Sequence, residues 1–197
     1  YHLDILIGVG INIILAVSLN LVNGYTGQFS LGHAGFMAVG AYGAAAVSLF
    51  LGPKLLGEEG GTAFQQGLMF LAALMAGGLG AALAGLAVGI PSLRLKGDYL
   101  ALVTLGFGEI IRVIFQNVEV LGGALGLNGI PAYTSIFWVM SLVALSIFTV
   151  TCLVHSTYGR GFLATHDDEV ASEAVGLNTT RYKIVAFVVS AFFAGAA

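Results

Sequence analysis

The sequence predicts an all-α, polytopic integral membrane helical bundle of about six transmembrane segments with a broken or re-entrant Gly-rich region, and three observations carry that expectation. Hydrophobic residues make up 58% and charged ones 9% of the 197 residues, far from the balance of a soluble domain. The apolar residues stand in continuous runs rather than in alternation, each long enough for a helix to cross roughly 30 Å of hydrocarbon, which argues against a membrane β-barrel. Twenty-nine glycines accompany only three prolines, as suits membrane helices whose small residues let backbones approach closely.

The expected segments cover residues 5–22, 34–51, 67–90, 99–116 and 136–154, and a sixth begins near Tyr182. In the third, Ala81, Gly85 and Gly89 recur at four-residue spacing, a small-residue ridge for helix packing. An apolar run begins within four residues of Tyr1 with no charged leader and no cleavage site. Residues 184–197 fall short of the roughly 20 apolar residues a spanning helix needs. The chain therefore reads as one transmembrane domain, 1–197, truncated at both ends.

Cations set the expected orientation. Arg94 and Lys96 lie between segments three and four, and Arg160, Arg181 and Lys183 flank the loop after segment five. Two crossings separate these sites, so they share one side, which the positive-inside rule makes cytoplasmic. The opposite loops fit: 117–135 carries Glu119 and no Lys or Arg, and 52–66 carries Lys54 against Glu58 and Glu59. Parity then places Tyr1 outside.

Between segments one and two, residues 23–35 (Asn-Gly-Tyr-Thr-Gly-Gln-Phe-Ser-Leu-Gly-His-Ala-Gly) are too glycine-rich for a stable helix. One reading is a helix broken at membrane depth, where irregular backbone is tolerated only if it is buried in protein or lines an aqueous cavity. Gln28, Ser30 and His33 would then place polar groups near a solute route. The other reading is an interfacial loop whose glycines serve turns and caps. Asn12, Asn20 and Asn23 share a broad face of the first helix, for hydrogen bonds between helices or contact with solute. Glu109 and Arg112, three apart in segment four, can pair. Ionisable groups inside a span are functional candidates by default, although a structural or interfacial ion pair accounts for them equally well.

The loop 156–183 predicts a helix of about ten residues, capped by Thr165 or Asp167, with Asp167, Asp168 and Glu169 in its first turn and Gly176 at its stop. Val170, Ala171, Ala174 and Val175 make a narrow apolar strip, too short to span and suited to a groove on another protein. A solvated connector is the alternative.

Several chemistries are excluded. Seven Lys and Arg against ten Asp and Glu, with no basic cluster, argue against nucleic acid. Cys152 stands alone, and His33 has no second ligand at metal spacing. No phosphate-binding Gly-x-x-x-x-Gly-Lys-Ser/Thr loop occurs, so any ATP must be hydrolysed elsewhere, and no cofactor is expected. The scattered carboxylates make no catalytic set, so the chain reads as a transport subunit rather than an enzyme.

Three blocks carry a resemblance. They are residues 18–36 (Ser-Leu-Asn-Leu-Val-Asn-Gly-Tyr-Thr-Gly-Gln-Phe-Ser-Leu-Gly-His-Ala-Gly-Phe), residues 97–112 (Gly-Asp-Tyr-Leu-Ala-Leu-Val-Thr-Leu-Gly-Phe-Gly-Glu-Ile-Ile-Arg), and a run from Gly159-Arg-Gly through Asp167-Asp-Glu and Glu173-Ala-Val-Gly-Leu-Asn to Thr180-Arg-Tyr-Lys. In this order they resemble the LivM-type permeases of branched-chain amino acid ABC importers, over nearly the whole chain. Family members run on for further helices. The resemblance implies a bacterial inner-membrane permease for leucine, isoleucine and valine. Its implied partners are a LivH-type second permease, two cytoplasmic ATPase subunits that bind the ATP, and a periplasmic solute-binding protein. It also implies that the loop helix is the coupling helix contacting an ATPase through Glu173, Ala174 and Gly176, with Asp168 and Glu169 in its first turn. Asn20, Gln28, Ser30, His33, Glu109 and Arg112 are the pathway candidates. Urea and amide importers use permeases similar in these blocks, and a secondary transporter or channel without an ATPase is the rival class.

Overall fold

The computed structural model describes residues 2–56, 62–92, 95, 98–118, 121–130 and 134–197. Tyr1, Glu58, Glu59, Arg94, Lys96, Gly97 and Glu119, on which part of the orientation and motif reading rests, lie outside them.

Each apolar run forms a helix, and no strand occurs among the described residues. In order these are α1 (His2–Asn20), α2 (His33–Leu56), α3 (Ala63–Ser92), α4 (Asp98–Asn117), α5 (Ile136–His155), α6 (Thr157–Asp167), α7 (Glu169–Ala174) and α8 (Thr179–Ala196). A π turn, Leu21–Tyr25, prolongs α1, and a 3-10 turn, Gly123–Leu125, follows α4. Among the described residues, five stretches are long and apolar enough to cross a membrane: His2–Tyr25, His33–Gly52, Phe64–Ser92, Tyr99–Asn117 and Ile136–His155. Their outward faces carry large apolar side chains such as Val9, Leu68, Leu83, Leu102 and Phe148. Such exposure would promote aggregation in water, and in a membrane it faces lipid.

The sixth expected segment is α8, which starts at Thr179 and occupies the centre of the bundle. Phe187, Ala191 and Ala194 pack with Phe36 of α2, Ala81 and Val88 of α3, and Leu100 of α4. On another side of α8, Ala186 joins Leu21, Val150 and Phe162. The rings of Phe36 and Phe187 meet edge to face at 5.4 Å, a favoured aromatic geometry.

Small residues set how closely these helices cross. A Cβ on Gly195 of α8 would overlap Ala81 and crowd Gly77 of α3 and Gly40 of α2, and a Cβ on Gly85 would stand 2.6 Å from the Ala191 methyl. The ridge expected at Ala81 and Gly85 is therefore the α3 surface that receives α8, and Gly89 is also buried. The Ser190 hydroxyl of α8 donates to the Ser18 carbonyl oxygen of α1 at 2.7 Å, a buried bond between helices. Asn12 and Asn23 do not supply such bonds. Asn12 donates to Gly8 O of its own helix at 2.8 Å, and Asn23 Oδ1 accepts from Ser30 N at 3.2 Å.

The loop after α5 differs from the single ten-residue helix expected there. Ser156 caps α6, accepting from Tyr158 N, and α6 runs to Asp167. Asp168 then turns extended and caps a separate α7, its carboxylate accepting from Val170 N (2.9 Å) and Ala171 N (3.0 Å). Thr165 and Asp167 are not the cap. Thr165 sits inside α6 and donates to Gly161 O at 2.7 Å, and only Asp168 leaves helical geometry where orphan amides need an acceptor. Gly176 stops α7 as expected, at φ +94. Gly176 N donates to Glu173 O and Leu177 N to Ser172 O, the paired bonds of a Schellman ending.

Candidate functional site

The glycine-rich segment turns the chain at the end of the bundle that also carries α6 and α7. After the π turn the backbone runs without helix through residues 27–32, yet Thr26, Gln28 and Ser30 are buried. The segment is folded into the protein, as irregular backbone in a membrane protein must be. Three of its amides find acceptors on different sides: Gln28 N donates to Val22 O (3.1 Å), Ser30 N to Asn23 Oδ1, and Leu31 N to Thr104 Oγ1 of α4 (3.1 Å). Gly27, at φ +67, lies against His166 of α6, whose ring a Cβ would meet at 2.6 Å. Irregular segment and loop helix are thus in direct contact.

The pathway candidates separate into three places. Asn20 is exposed at the end of α1, with its Oδ1 over Gly24. His33 opens α2 with Nε2 2.9 Å from Ser18 Oγ. The same Ser18 hydroxyl also lies 3.0 Å from Leu15 O of its own helix. Glu109 and Arg112 pair as expected, at 2.7 Å, on the outward face of α4 with side chains 57% and 60% exposed. They do not meet Gln28 or His33 in this chain.

The coupling candidates gather on α7, and most have structural partners. Asp168 is the cap. Glu169 forms an ion pair with Lys183 of α8 at 2.8 Å. Glu173 accepts from Thr179 Oγ1 at 2.6 Å. Ala174 and Gly176 are exposed, as are Val170 and Val175 at 68% and 84%. The apolar strip is therefore free on the surface while the acidic residues hold α7 to the start of α8.

Gln28 and Glu169, assigned to different roles by sequence, line one polar cavity of about 370 Å³ with Thr26, Thr165, His166 and Lys183. The hydroxyls of Thr26 and Thr165 donate to Val22 O and Gly161 O. Gln28 is 5% exposed, and neither atom of its side-chain amide has a hydrogen-bond partner among the described residues. Leaving such a group unpaired costs about 1–3 kcal/mol. Lys183 and His166 are the ionisable cavity residues that sequence reasoning did not select as site residues. Lys183 was visible only as a loop cation, and its pairing with Glu169 depends on the chain reversal at Gly176.

A second cavity, of about 440 Å³, lies between α1, α2, α3 and α5 beside the last turn of α8. Its walls are mostly apolar, among them Ile14, Phe70, Ala73, Val139 and Leu142, and its serine, Ser48, donates to its own helix at Ala44 O.

A family model described as "branched-chain amino acid transport system / permease component" matches residues 1–197. Two curated relatives are similar, the high-affinity branched-chain amino acid transport system permease proteins LivM of Salmonella typhimurium and Escherichia coli. Each is 37% identical over a stretch that is 66% of this chain and 39% of the relative, so the chain spans about two fifths of the length of these relatives. No solved structure matches.

Proposed function

The chain belongs to the permease-component family of branched-chain amino acid transport systems, and we propose that it forms part of the membrane pathway of an ABC importer for leucine, isoleucine and valine in the bacterial inner membrane. The observation that carries the coupling half of this reading is α7. It is a six-residue helix with a cap at one end and a Schellman ending at the other, and it presents Val170, Ala171, Ala174 and Val175 outward. A short, tied helix with a free apolar strip suits a groove on a partner. Arg160 and Arg181 lie at the same end, which the positive-inside rule assigns to the cytoplasm, the compartment that holds ATP. With no phosphate loop of its own, the chain depends on two partner ATPase subunits for hydrolysis. A periplasmic binding protein delivers solute, and a second, LivH-type permease completes the path.

In this scheme, motion of the ATPases moves α7 and α6, and the contact of His166 with Gly27 passes it to the irregular segment that holds Gln28 and Ser30 and leads into His33 at the start of α2. Alternating access follows as the segment and its neighbours rearrange. Glu109 and Arg112 belong to the face of α4 that meets the partner permease or the aqueous route. An ion pair within a span is costly against lipid, and such a cover removes that cost.

The test is uptake of labelled leucine into proteoliposomes containing the permease pair and ATPases, with binding protein outside and ATP inside. The expected result is ATP-dependent uptake suppressed by isoleucine and valine but not by urea. Entry of urea in place of leucine would reassign the substrate, and uptake of either without ATP would overturn the ABC reading.

A further inference from the structure

Residues 27–32, the irregular backbone between the π turn and α2, carry their polarity inside out. Burial alternates from residue to residue, as in extended chain, whose successive side chains point to opposite sides. Gln28 and Ser30 are 5% and 4% exposed, whereas Phe29 and Leu31 are 55% and 48% exposed. The nitrogen and oxygen of the Gln28 amide are both closed to water and have no hydrogen-bond partner among the described residues. Phe29 meanwhile borders the polar cavity of about 370 Å³ that Thr26, Thr165, His166, Glu169 and Lys183 also line. An apolar ring thus stands against a polar space while an amide is enclosed beside it, and both placements are unfavourable.

Backbone bonds hold the segment in this position: Gln28 N donates to Val22 O, Ser30 N to Asn23 Oδ1 and Leu31 N to Thr104 Oγ1. Gly27, at φ +67, and Gly32 stand at its two ends, and glycine is the residue that changes backbone conformation most freely. Turning an extended segment over exchanges its two rows of side chains. We propose that residues 27–32 form a strap with two positions, which turns over about Gly27 and Gly32. In the position described here, Gln28 and Ser30 are enclosed. In the other they face the polar cavity, which is large enough to hydrate the amide, and Phe29 and Leu31 take the enclosed side. Backbone bonds favour the first position and side-chain polarity the second, the balance that makes an element bistable. The His166 ring of α6, against Gly27, is the contact that sets the position. The proposal deepens the alternating-access reading and rests on it for the force that turns the strap.

The test measures alkylation by N-ethylmaleimide in the complete transporter in nanodiscs, with S30C and F29C placed separately in a C152S background. Without nucleotide, F29C should react at least tenfold faster than S30C. With ATP and vanadate, the F29C rate should fall and the S30C rate should rise, each at least fivefold. Rates that rise or fall together would describe a plain opening or closing of the cavity and would overturn the proposal. So would an unchanged S30C rate in a preparation that shows ATP-driven leucine uptake, a result that leaves the importer reading standing. Gln28→Leu, which keeps the volume and removes the amide, tests the strap without ATP. It favours the position described here and should slow alkylation of S30C in the same chain at least fivefold further. No such slowing, in a complex that still assembles on gel filtration, would overturn the proposal; where Gln28→Leu prevents assembly, the rates of the two cysteine variants decide. Absence of ATP-driven uptake alongside the Gln28→Leu effect would instead overturn the importer reading and retain the strap.

Discussion

Lys183 shows how a residue counted as a surface cation becomes a structural one. It stands near the start of α8, 8% exposed, against Glu169. Removing one member of a buried ion pair leaves the other charge uncompensated, at a cost of about 3–5 kcal/mol, whereas replacing both with neutral residues is far milder. Lys183→Met should therefore destabilise the protein by about 3 kcal/mol, the low end because Glu169 keeps some contact with solvent. The double variant K183M/E169Q should recover more than half of that loss. Thermal unfolding in detergent checks both. Sequence placed Gln28 and Ser30 correctly in an irregular segment, because glycine at this density denies the segment a helix, whereas His33 is already the first residue of α2. It could not reveal that Gln28 shares a cavity with Glu169, since that juxtaposition is made by α6 folding back over Gly27.

At the scale of elements, the long helices were legible because continuous apolar runs in a membrane leave few alternatives to helix. The α6–α7 corner was less so. Asp167, Asp168 and Glu169 are three consecutive acidic residues, each able to cap or to enrich a first turn, and composition does not say which one breaks the helix. The structure selects Asp168. Asp168→Ala should cost about 1 kcal/mol of local stability, which speeds hydrogen exchange at amides 170–177 roughly fivefold while leaving exchange in α5 unchanged. The Ala81 and Gly85 ridge was legible from its spacing, but its partner was not, because spacing names one side of a contact only. The partner face contains Ala191 and Gly195. Gly195→Val should prevent the close crossing of α2, α3 and α8 and abolish the folded state, read as loss of a monodisperse peak in detergent. Gly8→Ala, with nothing within 4 Å of the added methyl, should have no such effect.

For the whole molecule, the arrangement divides labour between two ends. One end gathers the irregular segment, the polar cavity, α6 and α7, and the other holds the apolar cavity beside the last turn of α8. The all-helical membrane class was fully legible from hydropathy, and the family from three motif blocks. The route of solute was not, because Glu109 and Arg112 face outward from this chain, where the proposed partner permease would supply the opposing surface.

The central claim is that α7 is the element through which partner ATPases drive this permease. The most direct measurement is site-specific cross-linking in the assembled transporter, with Cys152→Ser removing the exposed native thiol and a cysteine placed at Val175, 84% exposed on the free strip of α7. Thiol-specific cross-linkers of short span are then read for adducts to an ATPase subunit with and without ATP. The account predicts an ATPase adduct from V175C whose yield changes with nucleotide, and none from a cysteine at Leu83, 68% exposed on the outer face of α3. No ATPase adduct from V175C in a complex that still takes up leucine with ATP, or an equal yield from both positions, would contradict it.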